Sequence, residues 1–144
     1  MPSTDEPITV LDESECWQRL ESVKVGRLVT TAGTRIEIFP VNFAVQRETL
    51  LFRTAEGTKL VSTVLNNQVA FEADDYDDAG GWSVVVHGGA ELLQTSADIS
   101  EAEEAHLLTF TPTHKLRYVR ITPTEISGRS FAFGPAADTG WVPG

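Results

Sequence analysis

Ile36-Glu37-Ile38-Phe39-Pro40-Val41-Asn42-Phe43-Ala44-Val45, then Gln46-Arg47-Glu48, then Thr49-Leu50-Leu51-Phe52-Arg53-Thr54, reads as a strand, a short hairpin connection and a returning strand. Proline cannot donate to a ladder, so Pro40 predicts a bulge, a bend or a sheet edge within the first strand. The hairpin sets residues near Val41-Asn42-Phe43 beside residues near Arg53. Just past Ala55-Glu56-Gly57 a helical pattern opens with Thr58-Lys59-Leu60 and continues through Val61, Val64 and Leu65 to Asn66-Asn67. A helix start presents unpaired N–H groups and partial positive charge, and Arg53 and Lys59 flank it with a planar fork and a point charge. Two readings stand here: a phosphate site held by Arg53, Thr54, Thr58 and Lys59, or a strand-turn-helix whose charges are merely solvated.

Outward from that stretch, more strands appear. Before it, Asp12 and Glu15 have capping-box spacing, with Leu11 and Cys16 placed as a staple; Cys16, Trp17, Leu20 and Val23 follow helical spacing, and Gly26 is placed to end the helix. Leu28-Val29-Thr30-Thr31 is a strand ending at the Ala32-Gly33 turn. After it come Val69-Ala70-Phe71-Glu72, an acidic loop over residues 72–81, and Trp82 to Leu93, with a glycine bulge expected at Gly88-Gly89. Asp98 to Leu108 reads as a surface helix and Lys115 to Ile121 as a strand. The expectation is a mainly β domain spanning residues 1–144, a six-stranded β-barrel with flanking short helices, with 1–9 and roughly 130–144 as flexible tails.

Composition narrows the function. With 21 acidic and 11 basic residues the formal net charge is −10, which argues against a nucleic-acid groove but leaves room for a small anion met by two or three placed cations. The three lysines, Lys24, Lys59 and Lys115, make Lys59 stand out from a sparse cationic background. No apolar run approaches a membrane span and no signal-peptide pattern opens the chain, so a cytoplasmic location is expected. Cys16 is the single cysteine and falls on an apolar helical face. His87, His106 and His114 show no metal spacing, and Asp75-x-Asp77 with Gly80 departs from a calcium loop by placing Val86 where the bidentate Glu belongs. No nucleophile, metal or acid–base pair is nominated. A phosphate site on a β-barrel without a catalytic side chain suits a protein whose chemistry is carried by a phosphorylated cofactor.

The chain resembles the pyridoxamine 5′-phosphate oxidase-like family of flavin-binding split β-barrels. The motifs that carry the resemblance are Val25-Gly26-Arg27-Leu28, Phe39-Pro40-Val41-Asn42-Phe43, Phe52-Arg53-Thr54 with Gly57-Thr58-Lys59-Leu60, Val69-Ala70-Phe71-Glu72, Gly81-Trp82-Ser83-Val84 with Gly88, and Arg120-Ile121-x-Pro123, all in the family's order. The resemblance implies a homodimer with flavin mononucleotide (FMN) in a cleft at the subunit interface. It implies that Arg53, Thr54, Thr58 and Lys59 hold the flavin phosphate, that Pro40, Val41, Asn42 and Phe43 line the ring, and that Trp82 and Ser83 touch the flavin from their own or the partner subunit. The Arg-x-His element of true pyridoxamine phosphate oxidases is missing: Ile126 to Phe131 carries Arg129 and no histidine. The chain is closer to the short actinobacterial, nitroimidazole-reductase-like branch. The implied activity is transfer of hydride or electrons from reduced flavin to a small-molecule acceptor, with no catalytic side chain. Alternatives are a flavin storage protein, use of FAD, or a deazaflavin reductase whose anionic tail meets Arg117, Arg120 or Arg129.

Overall fold

A computed structural model of the chain describes residues 7–55, 68–107 and 116–134. Among them are seven strands and two helices: β1 (Ile8–Leu11), α1 (Glu13–Glu21), β2 (Val25–Ala32), β3 (Arg35–Gln46), β4 (Thr49–Ala55), β5 (Gln68–Tyr76), β6 (Gly80–Leu92), α2 (Ser96–Glu103) and β7 (Leu116–Ala132). The sheet runs β1-β7-β4-β3-β2-β5-β6, and β6 also pairs with β7. That last pairing closes six strands into a barrel. The count is therefore seven and not six: β1 is an added strand, with Ile8 opposite Phe131 and Leu11 opposite Gly128.

Strand alternation sorts the residues into a core and an outer wall. Leu28, Val41, Phe43, Leu50, Phe52, Phe71, Val84, Val86, Val119 and Ile121 fill the interior, and Cys16, Trp17 and Leu20 of α1 pack with them. Burying each such large side chain contributes about 1.5–3 kcal/mol. Phe43 and Phe71 meet edge to face at 4.8 Å. On the outside, Leu51, Leu93, Ala102 and Tyr118 form a second apolar cluster beneath α2, joined by Ile99, Ala105 and Leu107.

The capping box expected at α1 is formed. Asp12 accepts from the Glu15 N–H at 2.8 Å, and the Glu15 side chain accepts from the Asp12 N–H at 3.3 Å. The helix ends at Glu21 with Ser22 as its cap, so Gly26 is not its terminator. Gly26 lies inside β2, where an added Cβ would come 2.2 Å from the Phe71 ring. The glycine serves packing, not capping. The β3–β4 hairpin turns on Arg47 and Glu48, both with positive φ (47° and 54°), the sign that a two-residue turn needs to match strand twist.

Pairing also extended elements that local composition did not. β1 takes in Ile8 and Thr9, given above to a frayed tail, and β7 runs to Ala132, because the two ends hold each other. Asp74, Asp75 and Tyr76 continue β5 instead of opening the acidic loop, in register with Ser83, Trp82 and Gly81. Near Gly88 the register with β7 shifts as expected, but the extra residue is Thr124 of β7, since His87 faces Glu125 and Gly88 faces Pro123. A Cβ at Gly88 would lie 2.3 Å from the Thr122 carbonyl oxygen, so glycine there lets the bulged strand approach. The expected helix over Thr58 to Asn67 lies outside the described residues.

Candidate functional site

The outer wall of β3, β4 and β7 carries the candidate site. In β3, Val41 and Phe43 are buried in the core while Pro40 is exposed and Asn42 half-buried on the outer side. Pro40 and Asn42 thus present side chains to a ligand on the wall; Val41 and Phe43 reach it only through backbone. β3 pairs with β2 from Arg35 to Asn42 and with β4 from Phe43 to Gln46. Among the described residues, its other edge from Arg35 to Asn42 carries no strand. Pro40 therefore sits on an edge that no described strand covers, as its missing donor requires.

The β3–β4 register, extended one step past the Phe43–Phe52 pair, sets Asn42 opposite Arg53, and Arg53 is paired with Tyr118. Asn42, Arg53 and Tyr118 thus form one row across three strands, roughly 10 Å long at the usual ~4.8 Å strand spacing. The Arg53 guanidinium lies 5.3 Å over the Tyr118 ring, and its Nη1 donates to the Tyr118 hydroxyl at a long 3.4 Å. Its Nε is buried and has no acceptor among the described residues. Leaving a buried charged donor unmet costs about 1–3 kcal/mol or more, so an anion seated there would relieve a penalty. Thr54 is buried and paired with Arg117. Thr58 and Lys59, the other half of the expected phosphate site, lie outside the described residues.

α2 covers the far side of the row. Between it and the barrel lies a cavity of about 300 Å³ lined by Arg53, Leu93, Ile99, Glu103, Arg117 and Tyr118. Arg120, 8 % exposed, fastens the helix: its Nη1 donates to the Thr49 hydroxyl at 2.6 Å and its Nη2 to the Gln46 side-chain oxygen at 3.2 Å, with Glu101 at 3.6 Å. Gln46 in turn donates to the Glu101 carbonyl, and Arg47 pairs with the Glu101 carboxylate at 2.6 Å. Arg120 is thereby committed to structure, and Arg117 also borders the cavity. Sequence reasoning missed Tyr118, which only the register from Arg53 to β7 could have found, and Ile99 and Glu103, which depend on where α2 is seated.

Trp82 and Ser83 lie elsewhere on the ring. Trp82 is buried at the opposite end of β6, where with Arg19, Tyr76 and Phe131 it borders an open cavity of about 390 Å³. Ser83 pairs with Asp74 of β5 and Arg129 of β7. Within the chain these two do not meet Asn42 or Arg53. Beside Pro40, Arg27 of β2 donates from Nε to Glu72 at 2.7 Å and contacts Asp74 through Nη2 at 2.9 Å. Burial, then the Asp74 hydrogen bond and charge, push the Glu72 carboxyl above its ordinary range against the pull of Arg27. Burial opposes the charge on Arg27, but its two carboxylate partners outweigh it and hold the guanidinium above its usual value. Burial, with the charges of Asp12, Glu15 and Glu13, raises the Cys16 thiol, which leaves it a poor nucleophile. Among the described residues no His, Cys, Asp and Glu cluster is placed to hold a metal, and no helix is long and apolar enough to cross a membrane.

Comparison with known proteins follows the same lines. The family profile described as pyridoxamine 5′-phosphate oxidase matches residues 12–130. An uncharacterised protein of Mycobacterium tuberculosis is 55% identical over 94 residues, covering 65% of this chain and 86% of that protein. The structure of an FAD binding protein from Mycobacterium smegmatis is 54% identical with a TM-score of 0.79, covering 87% of this chain and 99% of that one. The structure of a putative pyridoxamine 5′-phosphate oxidase from Corynebacterium glutamicum is 41% identical with a TM-score of 0.82, covering 92% and 100%.

Proposed function

The chain belongs to the pyridoxamine 5′-phosphate oxidase family, and from that premise we propose that it binds a flavin on the outer wall of β3 and β4. One observation carries the reading: the β3–β4 register, extended one step past Phe43–Phe52, sets Asn42 opposite Arg53 on that wall, and the Arg53 Nε is buried with no acceptor among the described residues. The residues fit the group. Pro40 and Asn42 offer a flat, half-polar surface to a planar ring, the β3 edge that no described strand covers offers backbone donors and acceptors, and Arg53 offers a fork to a phosphate. Thr54 would support Arg53 from inside the barrel, and Thr58 and Lys59 are proposed to complete the anion site.

When bound, the flavin supplies hydride and electron transfer. The protein's own part is to bind, orient and shield. Arg53 fixes the phosphate end and so sets where the ring lies along β3. Asn42 meets the polar ring edge, and Val41 and Phe43 stiffen the wall from within the core. No side chain is required as acid or base, so the reading is an oxidoreductase acting on a small molecule. Storage of the cofactor without turnover is separated from it by reduction and reoxidation rates with a panel of acceptors.

A homodimer is part of the proposal. Ile36 and Ile38 are 66% and 64% exposed on the outer wall of β3 before Pro40, with Val25 of β2 46% exposed beyond Arg27, and exposed apolar side chains grouped on one face are of the kind that marks an interface. The family resemblance has Trp82 and Ser83 touch the flavin from their own or the partner subunit, and in the proposed dimer a second copy supplies them. Between FMN and FAD, the 54% identity to an FAD binding protein supports the dinucleotide. Titration of cofactor-free protein with riboflavin, FMN and FAD tests the reading; binding of none of the three would overturn it.

A further inference from the structure

A smaller cleft of about 60 Å³ borders Asn42, between the start of β2, the second half of β3 and the chain leaving α2. Lys24 and His106 line it together with Asn42 and apolar neighbours such as Leu107, and no carboxylate does. The volume is far below the about 300–1,000 Å³ of a small-molecule pocket, so the cleft takes one edge of a molecule and not the whole. Two basic side chains meet there without an acidic one, in a chain of net charge −10. Their backbones are held. The Lys24 carbonyl accepts from the Phe43 N–H at 3.0 Å, and the adjacent Val25 faces Asn42 in the β2–β3 register. His106 follows α2 with a φ of 49°, and its N–H donates to the Glu103 carbonyl at 3.2 Å. Glycine is the usual residue for a left-handed position at a helix end, and histidine is a tolerated one. A helix stop thus accounts for the backbone of His106. It accounts neither for Lys24 nor for both side chains bordering one cleft with Asn42.

Resting on the flavin reading above, we propose that Lys24 and His106 set the redox potential of the bound flavin by meeting the negative charge that the ring gains on reduction. Asn42 is the residue assigned to the polar ring edge, and the cleft shares it. A hydride from a donor of the nicotinamide class brings the ring two electrons and one proton and leaves it one negative charge, carried by that polar edge. The Lys24 ammonium donates as a point charge, and the His106 imidazole donates a ring N–H. Donors already in place where charge develops cost no reorganisation when it arrives. The pair therefore favours the reduced over the oxidised form and raises the potential, protein charge beside the ring nitrogens being a lever on flavin electronics. The clamp on Glu101 then has a consequence for the cleft, since it fixes the last turn of α2, from which the chain runs to His106.

The test is the midpoint potential of the full chain loaded with FMN or FAD, measured by reductive titration against a reference dye without oxygen. Lys24→Met should lower the affinity for reduced relative to oxidised flavin about tenfold, the scale of one hydrogen bond to a charged group, which is about 30 mV for a two-electron couple. His106→Asn keeps a residue that tolerates the left-handed backbone and should lower the same ratio severalfold. Lys24→Arg keeps the charge and should hold the potential close to wild type. Arg35→Met removes one positive charge elsewhere, from a side chain 76% exposed, and should leave the potential unmoved. Lys24 and His106 are both exposed, so their variants keep the fold, and retained flavin binding verifies it. An unmoved potential in either Lys24→Met or His106→Asn with flavin bound, or an equal shift in Arg35→Met, overturns the inference and leaves the flavin reading standing. A wild-type chain that takes up neither FMN nor FAD overturns the flavin reading, and this inference with it.

Discussion

Arg53→Ala is the perturbation whose size can be worked from the structure. In the free protein the guanidinium spends its contacts weakly: a long hydrogen bond of 3.4 Å to the Tyr118 hydroxyl, a ring contact at 5.3 Å, and a buried Nε with no acceptor among the described residues. Removing it costs the fold about 0.5–1 kcal/mol from the ring contact, partly offset by the lost penalty of the unmet donor. The ligand loses more. A hydrogen bond to a charged group contributes about 1.5–3 kcal/mol, or about ten- to 150-fold in Kd. Titrating cofactor-free wild-type and variant proteins with FMN and riboflavin reads the effect. Arg53→Ala should weaken FMN by that factor and leave riboflavin, which has no phosphate, nearly unchanged; Arg53→Lys should fall between, because it keeps the charge and loses the fork. Equal losses for both ligands would show that Arg53 acts on the fold and not on a phosphate, and the reasoning would be refuted.

Three further outcomes are expected. Gly26→Val places methyl groups where even a Cβ would lie 2.2 Å from the Phe71 ring, and should lower stability by about 1–3 kcal/mol in urea titration; an unchanged midpoint would remove the packing role assigned to this glycine. Glu72 is held above its ordinary 4.5 by burial and by Asp74, so the folded chain binds its proton more tightly than the unfolded one. Its contribution to stability is then intact below about pH 4.5 and declines as pH rises through the folded value; in Asp74→Asn the carboxyl should titrate lower by NMR, and an unmoved titration would contradict the coupling. Ile36→Lys with Ile38→Lys should turn the proposed dimer into a monomer in analytical ultracentrifugation, and a wild-type chain that is already monomeric would end the dimer proposal.

What could be read from the chain was what is local. The Asp12–Glu15 capping box and the β3–β4 hairpin each depend on residues a few positions apart, and each formed as expected, though Gln46 belongs to β3 and the turn is Arg47-Glu48 alone. What escaped depended on distant partners. Ile8-Thr9 looks like tail and becomes strand only because Arg129 to Phe131, which also looks like tail, lies beside it. Asp74 and Asp75 look like loop, but β6 pairs with them and Arg27 compensates Asp74. Gly26 has the position of a helix stop, and only the placement of the Phe71 ring reveals its use. The site divides the same way. Arg53 beside Asn42 follows from one hairpin, whereas Tyr118, Ile99 and Glu103 needed the β4–β7 register and the seat of α2.

The central claim is that this chain carries a flavin. The most direct measurement is the visible absorption spectrum of the protein as purified, followed by denaturation and chromatographic identification of the released chromophore. The account predicts the two-band spectrum of an oxidised flavin and release of FAD or FMN. A colourless protein that stays colourless after incubation with excess riboflavin, FMN and FAD would contradict it.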